Sequence, residues 1–248
     1  MPHTAVETLQ GPTLQGFEEY IRAAEAGMER SSGGSGTFLW SDADAERTRQ
    51  VRSGEVAAEF WSGEGPAAAP SGLIHDWIGA ARAEGATVEA MLRLIQNYDH
   101  HSEIYQPEVT ASKLLSRKDN DFEIYLRLRK KKIITVVLDT EHHVEYRPVG
   151  KMRWTCRSYT TRVAEVEHAG KPNEEVLAPD TGYGFLWRLY SYWRFEERDG
   201  GVDFECRAVS LTRDIPTGLG WIIEPMIEKL PKESLMHTLE CTRQALRK

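Results

Sequence analysis

The organisation of this chain rests on residues 183–212, which read YGFLWRLYSYWRFEERDGGVDFECRAVSLT. In the first half of this stretch, apolar and aromatic residues recur at every second position, which is the period of a β-strand with one apolar face. The pair Asp199-Gly200 tolerates the positive φ angles that a two-residue hairpin turn needs. Alternation resumes in Val202–Thr212. The stretch therefore predicts an antiparallel hairpin with an aromatic inner face.

The hydrophobic period changes after Pro216. Apolar residues recur at helical spacing from Leu219 to Leu230, and the helix is predicted to continue to Leu246. Proline residues 225 and 231 are expected to bend or divide it. This helix must bury its apolar stripe, and the inner face of the hairpin is the obvious place. A curved sheet that grips one helix usually leaves a cavity between the two, so a cavity is predicted there.

Composition and charge restrict the classes of function. The chain has 248 residues, of which 40% are hydrophobic, which is ample for one large domain or for one domain with an extension. Its net charge of −7 argues against binding of nucleic acid, which needs a broad basic face. Without a run of 18 or more apolar residues, the sequence predicts no transmembrane segment. The first residues lack a secretory pattern, so we expect a cytoplasmic protein by default.

The sequence predicts no cofactor and no metal site. Its three cysteines, Cys156, Cys206 and Cys241, are far apart, and we interpret them as small buried hydrophobic residues. A disulfide between Cys156 and Cys206 is the less favoured alternative, because both fall on strand faces assigned to the interior. His100 and His101 are interpreted as part of a surface loop, since adjacent histidines on a helix diverge and no further ligand stands at a recognisable spacing.

Residues 1–70 are predicted to form an N-terminal extension that docks on the main body, with residues 71–248 as the ligand-binding domain. The extension is too small and too interrupted to form an independent core. Its predicted parts are an amphipathic helix at Thr13–Arg30, a Gly/Ser linker at Ser31–Gly36, a strand at Glu55–Trp61 and a loop at Glu64–Gly72.

The main body is predicted to open with a strand at Leu73–Ala83. A helix at Val88–Asn97 follows, with Thr87 as its N-cap, and a second short helix lies at Ser102–Tyr105. Four antiparallel strands then precede the hairpin, at Glu108–Arg117, Phe122–Lys130, Ile133–Tyr146 and Met152–Val166.

This order of elements resembles the START-like superfamily, also called SRPBCC or the polyketide-cyclase and coenzyme-Q-binding group. The segments ATVEAMLRLIQNYD (86–99) and IYQPEV (104–109) resemble the first helix of the family and the start of its second strand. The segment DIPTGLGW (214–221) resembles the last junction between strand and helix. The resemblance covers roughly residues 72–247. It implies an α+β helix-grip fold, in which a curved antiparallel sheet wraps around a long C-terminal helix.

The resemblance also implies a cavity between the sheet and that helix, which in the family holds lipids, sterols, quinones or polyketides. The strand and helix periods supply the inward-facing residues that would line it, and most of these are apolar. The candidate ligand-binding residues are Phe122, Ile124, Leu126, Val136, Leu138, His142, Trp154, Ser158, Phe185, Trp187, Leu189, Trp193, Phe204, Ile223, Met226 and Ile227.

Three functions are open at this point. The favoured prediction is a protein that binds or carries a hydrophobic small molecule without catalysing a reaction on it. The first alternative is an enzyme of the cyclase or aromatase kind, with His142 and Tyr146 as candidate catalytic residues because they could transfer protons. In the non-catalytic interpretation His142 is a hydrogen-bonded core residue. The second alternative is a partner-binding protein with a filled core and no ligand cavity.

Charged residues give two further expectations. The basic run of residues 127–132 is interpreted as a solvated strand end, and its alternative is a patch that makes transient contact with an anionic membrane surface. Arginines and carboxylates also occupy the strand positions opposite to the apolar set. We expect them to form cross-strand ion pairs on the outer face of the sheet, unless the N-terminal extension covers that face.

Overall fold

The computed structural model describes residues 6–33, 37–63, 65–131, 134–214 and 220–247, with the side chains of 31–33 and 220–228 left out of the description. The strands are β1 Glu7–Thr8, β2 Ala57–Phe60, β3 Ala67–Ala69, β4 Gly72–Glu84, β5 Val109–Lys118, β6 Asp121–Lys131, β7 Thr135–Pro148, β8 Arg153–Glu167, β9 Glu175–Val176, β10 Thr181–Gly182, β11 Arg188–Arg198 and β12 Gly201–Arg213. The helices are α1 Gly11–Gly33, α2 Ala45–Arg52, α3 Val88–Ile95, α4 His101–Ile104 and α5 Gly220–Leu246, with 3-10 turns at Trp40–Ala43 and Tyr98–His100.

The centre of the fold is a ten-strand antiparallel sheet in the order β2-β4-β12-β11-β8-β7-β6-β5, with β3 beside β4 and β9 beside β8. The predicted hairpin is confirmed as β11 and β12. Arg198 pairs with Gly201 across a two-residue turn, in which Asp199 has a φ of 51° and Gly200 a φ of 73°. These two residues tolerate positive φ at low cost, so they fix the register of the hairpin.

Helix α5 lies against what we call the inner face of the sheet, and the predicted fold class, α+β helix-grip, is confirmed. Leu235 and Leu239 of α5 belong to the same buried cluster as Phe195 and Phe204 of the hairpin. The helix approaches the sheet closely at Gly79, where an added Cβ would lie 2.7 Å from Cδ1 of Leu239. A larger residue at that position would push the helix away from the strand.

The outer face of the sheet, opposite to α5, carries helix α1. Phe17 and Ile21 of α1 are buried against Ile74, Val209 and Leu211 of strands β4 and β12. Further along the sheet, β2 pairs with β4, and Val51 of α2 packs against Ala57 and Ala80. The described residues of the first seventy therefore cover part of the outer face and also extend the sheet at one edge.

The charged residues of the outer face are divided between two environments. Arg153 pairs with Glu196 across neighbouring strands at 2.7 Å, as predicted for an open sheet. Arg157 instead bonds to Glu25 of α1. Arg207 and Asp76 form a buried ion pair, with exposed side-chain fractions of 5% and 4%.

Helix α2 and strand β3 of the extension differ from the sequence prediction. Residues 45–52 form helix α2, which the sequence pattern did not predict. Asp44 is the N-cap of this helix, and its side chain accepts a hydrogen bond from the Arg47 N–H. Residues 67–69, predicted as loop, form the short strand β3 beside β4. Helix α2 has only one buried residue, Val51, so its sequence has almost no apolar stripe from which a helix could be recognised.

Candidate functional site

A cavity of about 330 Å³ lies between the inner face of the sheet and helix α5. Its wall is mostly apolar, which is the usual character of a small-molecule site. Strands β6, β7, β8, β11 and β12 supply one side, and α5 supplies the other with Leu230, Pro231, Ser234, Leu235 and Thr238. The predicted cavity is therefore present in the structure.

The structure places many of the candidate ligand-binding residues on this wall. The candidates found there are Ile124, Leu126, Val136, Leu138, His142, Ser158, Phe185, Leu189 and Trp193. Tyr146, a candidate catalytic residue, is also on the wall. Residues 223, 226 and 227 lie outside the part of the chain whose side chains are described.

Four candidates are absent from the cavity wall. Phe122, Trp154 and Phe204 do face α5, but they pack within the apolar cluster beside the cavity. Trp187 is on the other side of the sheet, in the cluster formed with helix α1. The inward assignment of Trp187 is therefore corrected, while the first three residues mark the filled end of the same interior.

Trp187 was misassigned because the regular strand begins only at Arg188. Before that residue the chain is held by Glu165, whose carboxylate accepts hydrogen bonds from the backbone N–H groups of Tyr183, Gly184 and Phe185. Gly184 has a φ of 75°, a conformation that side chains disfavour. Alternation of faces holds only in extended backbone, so the period of two could not be continued back to residue 187.

His142 is buried in the cavity wall and is hydrogen-bonded to Thr140, with 2.9 Å between Nε2 and Oγ1. The Thr140 hydroxyl donates to the carbonyl oxygen of Leu126 at 3.0 Å, so its only proton is already used. Nε2 of His142 must therefore carry the proton and donate it to Thr140. Burial lowers the pKa of His142 from 6.5 to about 4, so the ring is neutral at pH 7.

A second polar cluster lies at the end of the cavity near helix α3. The Tyr146 hydroxyl donates to the carbonyl oxygen of Ile95 at 3.2 Å, and the Tyr98 hydroxyl therefore donates to Tyr146, with 2.6 Å between the two oxygens. His101 also bonds to the Ile95 carbonyl, through Nε2 at 3.1 Å. Burial raises the pKa of both tyrosines well above 10. These hydroxyls are engaged in structural bonds and hold their protons tightly.

His101 shows that the surface-loop interpretation of the adjacent histidines was wrong for one of them. Its ring is buried, packs against Tyr98 and Tyr105, and contributes to the cavity wall, whereas His100 is exposed. Burial lowers the pKa of His101 to about 4. The signal that could have identified it is the helical spacing after α3, which brings Tyr98, His101 and Tyr105 to one side of the short helix α4.

One ion pair lies on the cavity wall, between Lys130 of β6 and Glu108 just before β5. Burial lowers the pKa of Lys130, and the attraction of Glu108 opposes that effect. Arg127, from the same basic run, is paired with Asp139 and Glu174. The run of residues 127–132 is therefore partly neutralised by carboxylates within its described portion, which weakens its interpretation as a membrane-contacting patch.

All three cysteines are free. Cys156 and Cys206 lie opposite Trp193 on its two sides, so two strand spacings of about 4.8 Å separate their backbones, which is too far for a disulfide. Within the described ranges there is no cluster of three or more histidine, cysteine or acidic side chains that could hold a metal ion. The same part of the chain has no helix long and apolar enough to cross a membrane.

A large antiparallel sheet, a C-terminal helix across its inner face and an apolar cavity between them give this chain an α+β fold of the helix-grip class. No family model matches the sequence, and no curated protein matches it significantly.

Several solved structures are similar to the chain. A STAR-related lipid transfer protein from Xanthomonas axonopodis is 19% identical, with a TM-score of 0.49, over 75% of this chain and 100% of that one. Human STARD10 is 12% identical, with a TM-score of 0.47, over 82% and 79%. The Zhui aromatase/cyclase from a Streptomyces species is 9% identical, with a TM-score of 0.46, over 70% and 94%. A shared fold does not identify a ligand, so the function has to be inferred from the residues of the cavity.

Proposed function

We propose that this protein binds a compact hydrophobic small molecule in the cavity between its sheet and helix α5. The observation that carries the proposal is the cavity itself, a space of about 330 Å³ whose wall surface is mostly apolar. This volume is at the lower end of the range of roughly 300–1,000 Å³ for small-molecule sites, which favours a compact ligand over a lipid with two long chains. Burial of apolar surface would supply the driving force, at about 25 cal/mol per Å² before ordering costs.

Binding without catalysis is favoured over the cyclase alternative by the state of the two candidate catalytic residues. A histidine with a pKa of about 4 is a weak base at neutral pH, and that of His142 is lowered to this value by burial. Tyr146 is a poor acid, because burial raises its pKa and its proton is already bonded to the Ile95 carbonyl. The cyclase alternative predicts that His142→Ala abolishes turnover and leaves ligand affinity almost intact.

The proposed division of the chain into an extension, 1–70, and a ligand-binding domain, 71–248, is part of this proposal. It is supported by the origin of the cavity wall, whose described residues all fall between Ile95 and Thr238. The extension contacts the sheet from the outer face and at its β2 edge. In this proposal the extension stabilises the sheet and does not touch the ligand.

The test is a titration with N-phenyl-1-naphthylamine, an uncharged apolar compound that fluoresces when it leaves water. Ala208 lies on the cavity wall, so Ala208→Phe places a ring in the space that the probe needs. Ala45 is exposed at the start of α2 and gives a matched control in Ala45→Phe. We expect Ala208→Phe to weaken binding at least tenfold and Ala45→Phe to leave it unchanged.

Folding of both variants is checked by circular dichroism. Equal binding by a folded Ala208→Phe protein would place the probe outside the cavity and refute the proposal. Native mass spectrometry of the purified protein, followed by organic extraction, is the second measurement. A released apolar molecule of defined mass would name the chemical class of the ligand.

A further inference from the structure

Polar side chains from three adjacent strands form a row across the cavity wall. Ser158 of β8 pairs with Ser191 of β11 on one side and with Val144 of β7 on the other. His142 is the next inward position of β7 after Val144, so it is a diagonal neighbour of Ser158. All three polar residues contribute to the cavity wall. We call His142, Ser158 and Ser191 the polar row.

Nδ1 of His142 is an available hydrogen-bond acceptor. The proton of this ring is on Nε2, because Thr140 has already donated its own proton to the Leu126 carbonyl. The other ring nitrogen therefore carries a lone pair. Among the residues that the structure describes, the bond from Nε2 to Thr140 is the one hydrogen bond of the His142 ring, and Nδ1 makes none.

The two serine hydroxyls of the polar row are available in a similar way. Within the described part of the chain, neither Ser158 nor Ser191 has a hydrogen bond through its side chain. By contrast, the Thr160 hydroxyl on the same inner face of β8 accepts a bond from the Leu189 N–H. A hydroxyl can donate once and accept twice, so the row combines one acceptor-only nitrogen with two groups that can do either.

We propose that the ligand is a compact apolar molecule with an O–H group, an alcohol or a phenol, whose proton is accepted by Nδ1 of His142 and whose oxygen is within reach of the Ser158 and Ser191 hydroxyls. This inference rests on the proposed function and deepens it by naming the class of ligand. An unpaired acceptor in an apolar wall is unfavourable, and a ligand donor removes that cost. A ligand ether of the same shape leaves the nitrogen unpaired.

The proposal excludes an anionic group at this position. Burial keeps the His142 ring neutral at pH 7, so the row offers no positive charge to a carboxylate or phosphate. The lysine on the cavity wall, Lys130, is already paired with Glu108. The row also lies in the middle of the strands, with Trp193 and Leu189 of β11 on either side of Ser191 at the inward positions. We therefore expect the O–H group to be attached to the apolar part of the ligand and not to a charged end group.

The experiment compares matched alcohols and methyl ethers by displacement of N-phenyl-1-naphthylamine from the full-length protein. The aromatic pair is 2-naphthol and 2-methoxynaphthalene, and the aliphatic pair is 1-adamantanol and 1-methoxyadamantane. We expect the alcohol of at least one pair to bind about tenfold more tightly than its ether, which corresponds to about 1.4 kcal/mol for one hydrogen bond. A preference in the aromatic pair alone identifies a phenol, and one in the aliphatic pair alone identifies an alcohol.

His142→Phe removes the acceptor and keeps a ring in the wall, so the ratio of the two affinities should fall to about one. His143→Phe is the matched control, since His143 lies on the outer face against Tyr159 and Glu123 and should keep the wild-type ratio. Equal affinities for alcohol and ether in the wild-type protein would overturn the inference and leave cavity binding intact. Failure of the probe itself to bind would overturn the proposed function as well.

A measurement on the wild-type protein keeps the test decisive if His142→Phe does not fold. A long-range ¹H–¹⁵N spectrum reports which ring nitrogen carries the proton. We expect His142 as the Nε2–H tautomer, with an Nδ1 resonance that shifts on addition of the preferred alcohol and stays in place with its ether. A proton on Nδ1 in the free protein would overturn the inference.

Discussion

The two faces of the same sheet are used in opposite ways. On the outer face, the N-terminal extension fills the space with Phe17 and Ile21 and pairs the buried charges Asp76 and Arg207. On the inner face, helix α5 packs closely near Leu239 but leaves about 330 Å³ open along the strands. The two faces therefore differ in the kind of space they leave. The outer face is packed around Phe17 and Ile21, and its pocket of about 450 Å³ between α1, Trp61 and Arg207 has a wall that is as polar as it is apolar, whereas the wall of the inner cavity is mostly apolar.

This difference separates two kinds of buried polar group. The buried Asp76 carboxylate of the outer face is satisfied within the protein, since it accepts bonds from Arg207 and from the Tyr20 hydroxyl. The side chains of the polar row, in contrast, can still form hydrogen bonds to a molecule in the cavity. Buried polar groups are normally paired, so unused capacity beside a cavity favours a ligand that completes it. The comparison predicts large stability effects on the outer face and large binding effects on the inner face.

The largest effect is expected at the buried ion pair of the outer face. Asp76→Ala leaves the Arg207 guanidinium buried without its carboxylate, and we expect the free energy of unfolding to fall by about 3–5 kcal/mol. Urea denaturation followed by tryptophan fluorescence measures it. The control is Glu46→Ala, which breaks a fully exposed pair with Arg49 and should leave the unfolding curve almost unchanged. A similar small effect of both substitutions would contradict the view that the Asp76–Arg207 pair is shielded from water.

Two leucines test the difference in packing between the faces. Leu211 on the outer face is completely buried beneath α1, whereas Leu138 on the inner face borders the cavity. Leu211→Phe should overpack its site and lower the free energy of unfolding by about 1–3 kcal/mol. Leu138→Phe can extend into open space, so we expect a smaller loss of stability together with a clear loss of affinity for the naphthylamine probe. Equal destabilisation by the two substitutions would indicate that the cavity cannot accept the added ring.

The pH dependence of stability should also have opposite signs on the two faces. On the outer face, burial raises the pKa of Glu205 from 4.5 to about 7, while the Trp40 N–H donates to its carboxylate. The folded state then holds a proton that the unfolded chain has released, so this group destabilises the fold as pH rises between 4.5 and 7. His142 on the inner face has its pKa lowered to about 4, so its contribution to stability grows as pH rises from 4 to 6.5.

Glu205→Gln isolates the outer-face contribution, since the amide keeps an oxygen for the Trp40 N–H and cannot ionise. We expect the stability of the variant to rise more steeply with pH than that of the wild type across the window from 4.5 to 7. Urea denaturation at a series of pH values gives the two curves. Parallel curves would mean that the Glu205 carboxyl titrates alike in the folded and unfolded protein.

Most of the fold was predictable, because the strands that carry it have long and regular periods. Residues 188–213 alternate regularly, as do β6, β7 and β8 over most of their length, and the Asp199-Gly200 turn left little choice of register. Helix α2 and strand β3 were not predictable in the same way. Their conformations depend on docking against β4, and this information is absent from a local period.

The candidate site was predictable only where strand alternation holds. Ile124, Leu126 and Leu138 on the cavity wall follow directly from the period of two. That period could not distinguish a cavity-lining residue from one such as Phe204 that fills the core beside it, because both face inward. The wrong placements, Trp187 and His101, lie just outside regular elements, where the direction of a side chain is set by tertiary contacts such as those of Glu165.

The smallest effect is expected where the outer face meets solvent. Oε1 of Glu25 in α1 accepts bonds from both Arg157 and the Tyr192 hydroxyl, but the Arg157 and Glu25 side chains remain 38% and 29% exposed. Water competes for such a pair, so Glu25→Gln should lower the free energy of unfolding by only about 0.2–1 kcal/mol, and added salt should reduce the difference between variant and wild type. The same denaturation experiment at low and high ionic strength measures this. A decrease in the free energy of unfolding as large as that of Asp76→Ala, and unchanged by salt, would mean that the Arg157–Glu25 pair is also shielded from water. The extension would then stabilise the sheet through charges as much as through Phe17 and Ile21.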